Sequence, residues 1–275
     1  MNDPDVQEFY TMVQLTYFQY MRDYLRSLGV RIPIAGSNLT RPGLARDLAT
    51  NASLDFIDRH AYWDHPKGGF GNDVVFHNRV LMKGIEYANP IIKLSRERVR
   101  GKPFVVSEWN VAWPNEYRAV GPLLMAASAS FQDWDGLIQF NYDGALMPSR
   151  IESNFDVSTK PELFLQWPTA ARVFHRRDAA PAVRRDEYPI LPQPEVPIAL
   201  PLAHGVGRLL EGQVTSLPMD RVAPWVSDTG ELRWDEGRGL VVIETPRTQA
   251  ALGRVGGVPV GLRDVTFSIT TPFAC

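Results

Sequence analysis

Helix-like and strand-like segments alternate through the first 180 residues of this 275-residue chain, and this order most limits the folds open to it. Apolar residues at spacings of three and four predict a helix over 3–28, with Asp3 as N-cap, Pro4 in its first turn and Gly29 as its stop. Further helices are predicted at 91–100, 116–132 and 161–176, a short helical or loop segment at 41–51, a long loop at 64–90, and strands at 30–38, 54–63, 102–110 and 136–144. This alternation favours parallel βα units, either half of an eight-fold barrel or a small open sheet.

The pattern changes around residue 180. Six prolines are spread through 181–205 and predict a linker: Pro181, Pro189, Pro192, Pro194, Pro197 and Pro201. Beyond it, short strands separated by Gly-containing turns are predicted at 231–235, 240–245, 249–253 and 264–269. The sequence therefore predicts an α/β domain over 1–180 and a smaller all-β, sandwich-like accessory domain over 206–275, which we expect to be truncated.

Composition excludes several classes of protein. The net charge of −2 gives no electrostatic reason to expect nucleic acid or an anionic membrane surface as a partner. Cys275 is the only cysteine, so a disulfide framework or a cysteine zinc site within the chain is excluded, and we expect no cofactor. The N-terminal residues have no signal-peptide core but already lie within a predicted domain, so a secreted or periplasmic location stays compatible with the sequence. Oligomeric state is left open.

Polar side chains stand at the C-terminal ends of three predicted strands. Asn38 ends the first, His60 and Tyr62 end the second, and Glu108 and Asn110 end the third. Alternation places Asp58, His60 and Tyr62 on one face of their strand. Barrel enzymes carry their active sites at the carboxyl ends of parallel strands. The sequence therefore predicts that Glu108 is a catalytic carboxylate rather than a residue that merely caps a strand.

Two motifs carry a resemblance to a known family. His60-Ala61-Tyr62 ends one strand, and Ser107-Glu108-Trp109-Asn110 ends the next, with GKPFVV before the glutamate and QDWDGLIQFNY after it. Over about residues 5–180 the chain resembles the C-terminal half of a clan A, cellulase-like, retaining glycoside hydrolase. The resemblance implies strands five to eight of a (β/α)8 barrel, with Glu108 as nucleophile and with His60 and Tyr62 positioning that nucleophile and the sugar.

The resemblance also implies a carbohydrate substrate and an incomplete catalytic pair. Six residues would complete the sugar site, by stacking or by shaping it: Asn38, Trp63, Trp109, Asn110, Trp113 and Tyr142. The family's acid/base is a Glu after an Asn on the fourth barrel strand, whereas Asn115-Glu116 follows the nucleophile strand. We therefore expect the acid/base upstream of this chain, and we expect the chain to be a fragment.

Two other functions are compatible with the same residues. One is a metal-dependent barrel hydrolase, because histidine and aspartate ligands are common at strand ends; its candidate ligands are His60, Asp64, His65, Asp73 and His77. The other is a non-catalytic carbohydrate-binding module that uses the aromatic side chains without the chemistry.

Overall fold

The computed structural model describes residues 3–38, 43–67, 77–83, 85, 89–142, 153–191, 196–213, 224–253, 259–262 and 265–268. The helices are α1 (Pro4–Ser27), α2 (Leu44–Asn51), α3 (Pro90–Ser95), α4 (Gly121–Phe131), α5 (Pro161–Phe164), α6 (Trp167–His175) and α7 (Leu200–Ala203). The strands are β1 (Ile57–Trp63), β2 (Phe104–Val111), β3 (Gly136–Gln139), β4 (Arg185–Pro189), β5 (Gly205–Leu209), β6 (Trp225–Val226), β7 (Leu232–Asp235), β8 (Leu240–Glu244), β9 (Gln249–Gly253), β10 (Pro259–Leu262) and β11 (Val265–Ser268).

The fold combines a parallel and an antiparallel sheet, which confirms a mixed α/β class. β1, β2 and β3 form a parallel sheet in that order, with α3 and α4 as the connections between successive strands. β6 to β9 form an antiparallel sheet in chain order, and β10 pairs with β11 in a separate hairpin. The half-barrel and the sandwich form remain predictions, because the described strands close neither.

Several predicted elements differ from those observed. Residues 30–38 form no strand. They are bonded to the segment before β1 instead: the Ile34 amide donates to Asp55 Oδ2 at 2.8 Å, and the Ile34 carbonyl accepts from the Asp55 amide at 3.0 Å. The helix predicted at 91–100 stops at Ser95, since the Arg100 amide and the Arg98 carbonyl bond the backbone of Arg208. The strand predicted at 136–144 ends at Gln139, and the helix predicted at 161–176 is divided into α5 and α6.

The segment predicted as a linker holds regular structure. β4 and α7 lie within it, and β4 pairs in parallel with β5. Tyr188 and Val206 belong to a buried cluster between these elements. Gln132 Nε2, at the end of α4, donates to the carbonyls of Pro201 and His204 at 2.7 Å each, so proline content alone overestimates how exposed the segment is. The division into two domains stays a prediction.

The antiparallel sheet packs on the same core as the parallel sheet. Leu232, Trp234 and Ile243 belong to the buried cluster that also contains Ile57 and Phe104. Polar contacts join the two parts as well: Thr248 Oγ1 donates to Asp178 Oδ2 at 2.7 Å, and the Ala180 amide donates to Glu231 Oε2 at 2.7 Å. The strands predicted in this region correspond to β7, β8, β9 and β11.

The N-terminal helix is confirmed, but its apolar stripe is not buried. Asp3 Oδ1 accepts from the Asp5 amide at 2.9 Å, as an N-cap should. Polar contacts attach α1 to α2, among them Gln14 Nε2 to Asp47 Oδ1 at 3.0 Å. No residue of α1 is buried, and Tyr17 and Tyr20 are 59% and 67% exposed. No helix in the described part of the chain has the length and apolar character required to cross a membrane.

A buried charge cluster lies beneath the parallel sheet. Ile57, Arg59, Ala61 and Trp63 alternate as the buried residues of β1. Arg59 Nη2 lies 2.6 Å from Asp47 Oδ2, and its Nε lies 3.0 Å from Glu97 Oε2 without hydrogen-bond alignment. All three side chains are at most 2% exposed. Burial raises the pKa of Asp47 despite the attraction of Arg59, because water no longer solvates the carboxylate.

Removing the arginine should leave two buried carboxylates without their shared cation. We expect Arg59→Met to lower the free energy of unfolding by about 3–5 kcal/mol, measured by urea denaturation. The matched control is Arg238→Met, because Arg238 is 41% exposed and 3.8 Å from Asp235; its effect should be at most about 1 kcal/mol. Equal losses for the two variants would contradict the role assigned to Arg59.

The same cluster predicts a trend with pH. Burial raises the pKa of Glu97 above its ordinary 4.5, although Arg59 and Lys93 partly offset the rise. The folded chain then binds protons more tightly than the unfolded chain, so this carboxyl's contribution to the free energy of unfolding falls as pH rises through 4.5 and beyond. We expect Glu97→Gln to gain stability relative to wild type between about pH 4 and pH 7. The free energies of unfolding of wild type and Glu97→Gln would contradict this prediction if they changed with pH in parallel. The control is Glu116→Gln, at an exposed position, which should follow wild type.

Candidate functional site

The candidate site begins on the face of β1 opposite the buried cluster. Asp58, His60 and Tyr62 share this face, as alternation predicts, and all three are partly buried. β1 pairs in parallel with β2 so that His60 lies beside Glu108 and Tyr62 beside Asn110. The pairing therefore brings together the two motifs singled out in the sequence.

One oxygen of Glu108 receives two contacts. The Tyr62 hydroxyl donates to Glu108 Oε2 at 2.5 Å, and His60 Nδ1 lies 3.1 Å from the same oxygen. Within the described part of the chain no protein donor reaches Oε1. The Glu108 side chain is 32% exposed, so the carboxylate is oriented by protein on one side and open on the other.

A second group of polar contacts surrounds His60. Its Nε2 lies 2.7 Å from Ser107 Oγ and 3.0 Å from Asn38 Nδ2. Ser107 also bonds Asp58, with Oγ to Oδ2 at 2.8 Å and the amide to Oδ1 at 3.1 Å. The structure thus places Asn38 at the site although its segment is not a strand. The sequence analysis gave no role to Asp58 or to Ser107, although Ser107 belongs to the second motif.

Tyr62 stays protonated where it meets Glu108. Burial raises the pKa of the Tyr62 phenol, and the hydrogen bond and negative charge of Glu108 raise it further. A protonated phenol donates its hydrogen to the carboxylate and stabilises the ionised form of that carboxylate.

Asn110 supports the wall of the site rather than facing a ligand. Its side chain is 1% exposed. Its Nδ2 donates to the carbonyl oxygens of Phe140 and Phe155, the latter at 2.8 Å, and its Oδ1 accepts from Gln139 Nε2 at 3.1 Å. Asn110 therefore ties the exit of β3 to the segment around residue 155, and the expected contact with sugar is replaced by a structural role.

A cleft of about 540 Å³ opens beside Glu108. Tyr62 and Glu108 line it together with His65, which the sequence analysis named only as a candidate metal ligand, and with residues that it did not assign: Phe140, Asn141, Ser153, Phe155 and Asp156. The rings of Tyr62 and Phe155 lie 4.8 Å apart, and those of Tyr62 and His65 lie 5.4 Å apart. Phe140 follows β3 directly, so a strand-end search would have found it. The segment around 153–156 has no periodic pattern that could have pointed to it.

The predicted aromatic residues have different locations. Trp63 and Trp109 are 5% and 4% exposed and belong to the core, so the stacking role expected of them is withdrawn. Trp63 Nε1 donates to the Arg79 carbonyl at 2.8 Å. Trp113 is partly buried and its amide bonds the Asn154 carbonyl at 2.8 Å. Tyr142 is 53% exposed and packs against Phe164 and Trp167 rather than lining the cleft.

The candidate metal ligands do not converge in the described residues. No group of three or more His, Cys, Asp or Glu side chains in this part of the chain has a geometry that could hold a metal ion. Asp64 instead accepts from the amides of His77 and Asn78 at 2.9 and 2.8 Å and from Asn115 Nδ2 at 3.1 Å. Its carboxylate therefore orders the loop after β1. Asp73 lies outside the described residues.

Comparisons with known proteins identify no family. No protein-family model matches the chain, and no curated protein matches it. A solved structure with detectable similarity is that of the endo-beta-1,4-mannanase from Thermotoga petrophila, with 19% sequence identity and a TM-score of 0.35. The match covers 53% of this chain and 30% of the mannanase chain, so this chain spans less than a third of the length of that structure.

The state of Tyr62 can be tested by titration. Because burial and Glu108 raise the pKa of Tyr62, its phenol should contribute no phenolate absorbance up to about pH 11 while the chain stays folded. We expect Tyr62→Phe to leave the rise in phenolate absorbance over this range unchanged. Tyr20→Phe, at a tyrosine that is 67% exposed, is the control and should remove one titrating phenol. Equal losses of absorbance in the two variants would contradict the Tyr62–Glu108 contact.

Proposed function

We propose that the chain carries the nucleophile half of a retaining glycoside hydrolase and that Glu108 is the nucleophile. The observation that carries this proposal is the asymmetry of the Glu108 carboxylate. Tyr62 and His60 contact Oε2, no described donor reaches Oε1, and the Glu108 side chain lines the cleft. A nucleophilic carboxylate needs this arrangement, because it must be ionised, held in one orientation and open to the reacting carbon.

The cleft suits a sugar ring. Its volume of about 540 Å³ is in the range of small-molecule sites. Phe140 and Phe155 supply apolar ring surface, and Asn141 and Ser153 supply polar groups. Sugars present apolar faces and a rim of hydroxyls, so a wall of both kinds supports a carbohydrate as the ligand.

The proposed reaction has two displacements. In the first, Glu108 Oε1 attacks the anomeric carbon, the bond to the leaving oxygen breaks, and an acid protonates that oxygen. In the second, water attacks the anomeric carbon as it gives its proton to the same group, which now acts as base; the bond from that carbon to Glu108 Oε1 breaks and the carboxylate is regenerated. Retaining enzymes place this second carboxyl about 5–5.5 Å from the nucleophile.

The acid/base remains a prediction from the family resemblance, which implies a glutamate upstream of this chain. Asp156 also lines the cleft, 6% exposed, and belongs to the described residues. A substrate whose leaving group needs no protonation makes the acid unnecessary, because the first displacement then depends on Glu108 alone.

The second candidate function is carbohydrate binding without catalysis. The aromatic lining of the cleft supports it equally well, since ring faces bind sugars whether or not a bond is broken. The two functions differ in one respect: only the hydrolase forms a covalent bond between Glu108 and a sugar.

Covalent labelling distinguishes the two functions. We expect a panel of 2-deoxy-2-fluoro glycosides with dinitrophenyl leaving groups to add one sugar to the chain, and mass spectrometry of the peptides should find that sugar on Glu108. Glu108→Gln should remove the label and lower release of dinitrophenol roughly 10⁴-fold. The exposed Glu116→Gln is the matched control and should behave as wild type. Binding of sugars by wild type with no label from any member of the panel would favour the binding module.

A further inference from the structure

β2 contains an extra residue at the candidate site. Arg59 pairs with Val106 and His60 pairs with Glu108, so the register shifts and Ser107 has no partner of its own on β1. In a regular strand Ser107 and Glu108 would point to opposite faces. Here both reach the imidazole of His60, Ser107 Oγ at 2.7 Å from Nε2 and Glu108 Oε2 at 3.1 Å from Nδ1. A bulge of this kind re-aims side chains, and bulges are common next to active sites.

The contacts of Ser107 determine which ring nitrogen carries a proton. A serine hydroxyl has one hydrogen to donate, and here it has two neighbours, Asp58 Oδ2 at 2.8 Å and His60 Nε2 at 2.7 Å. An ionised carboxylate accepts but cannot donate, and a bond to it is the stronger one. Ser107 therefore donates to Asp58, which leaves its oxygen lone pairs to accept from Nε2–H of His60.

We propose that Ser107 and Asp58 are positioning residues that hold His60 with Nε2–H bound to Ser107 and Nδ1 facing Glu108. The part of this proposal that concerns catalysis rests on the proposed function of Glu108. With Nε2 engaged as a donor, the 3.1 Å contact between Nδ1 and the ionised Glu108 Oε2 is a hydrogen bond in the form of His60 that carries a proton on both ring nitrogens. Ser107 and Asp58 therefore fix the direction in which Nδ1 faces the candidate nucleophile.

Other groups around His60 are compatible with this assignment. The charged side chains nearest the ring are Asp58, 3.8 Å from Nε2 on the same strand, and Glu108 on β2. From α3, Lys93 Nζ contacts the His60 carbonyl at 3.3 Å and not the ring. The structure places Asn38 Nδ2 3.0 Å from Nε2, and the assignment requires the two ends of this amide to be exchanged so that its oxygen faces the nitrogen, since two donors do not bond each other.

Nitrogen NMR of the whole chain labelled with ¹⁵N-histidine tests the assignment without requiring activity. His60 is identified among the five histidines as the signals lost in His60→Gln. In wild type we expect neutral His60 to carry its proton on Nε2. Ser107→Ala should give a mixture of the two tautomers, and Ser107→Thr, which keeps the hydroxyl, should restore the wild-type spectrum. An unchanged spectrum in folded Ser107→Ala would overturn the proposal.

A second variant, Asp58→Asn, reverses the direction of the hydrogen bond between Asp58 and Ser107. It tests the proposal independently if Ser107→Ala fails to fold. Asp58→Asn can donate its amide hydrogen to Ser107 Oγ, so the serine proton turns to Nε2 and the tautomer of His60 changes to Nδ1–H. Retention of the Nε2–H form in Asp58→Asn would also overturn the proposal. Ser53→Ala is the control, because the Ser53 hydroxyl bonds the Thr50 carbonyl and not His60; it should leave the spectrum unchanged.

Kinetics with the activated glycosides distinguishes failure of this proposal from failure of the proposed function. If wild type reacts, Ser107→Ala should lower kcat roughly 10- to 100-fold with little change in KM, and Ser107→Thr should restore it. Unchanged kcat in Ser107→Ala would overturn the catalytic part. If wild type forms no glycosyl-enzyme, the proposed function fails, while the NMR spectra still decide whether Ser107 and Asp58 position His60.

Discussion

The site depends on the parallel pairing of β1 with β2. This pairing brings His60 beside Glu108, and the register shift at Ser107 turns two consecutive side chains of β2 toward one imidazole. Without the shift, strand alternation would send one of the two to the opposite face. A single extra residue therefore converts a strand end with one aimed carboxylate into a connected group of Asp58, Ser107, His60, Glu108 and Tyr62.

Charged side chains lie on both faces of β1, but they are enclosed on one face and partly exposed on the other. On one face Arg59 is enclosed with Asp47 and Glu97, and its loss would leave charge buried without compensation. On the other face His60 and Tyr62 meet Glu108, which remains partly exposed to the cleft. The buried face of β1 holds the strand in place, and His60 and Tyr62 on its other face orient Glu108, the candidate nucleophile on β2.

The parts most distant in sequence complete the structure around this sheet. β5, which pairs with β4, meets the turn after α3 through the backbone of Arg208, and Asn110 ties β2 to the residues around Phe155. These contacts explain where sequence analysis failed. Proline content suggested a linker, and helical periodicity suggested a longer α3, but backbone partners that are remote in the chain decided both. The buried positions of Trp63 and Trp109 have the same origin, since a tryptophan pattern alone cannot show which neighbours will cover the ring.

Local pattern was enough to determine α1, β1, β2 and three strands of the antiparallel sheet, β7, β8 and β9, because periodicity and capping act within a few residues. It also predicted that His60, Tyr62 and Glu108 lie together, because polar residues at the ends of parallel strands meet at one edge; Asn38 joins them from a segment that is not a strand. Only the tertiary structure decided that Tyr62 and His60 both contact Oε2 of Glu108, that Phe155 and Asp156 line the cleft, and that Asp58 and Ser107 lie beside His60. The physical reason is that hydrogen-bond direction and the facing of side chains depend on strand register, which no local pattern contains.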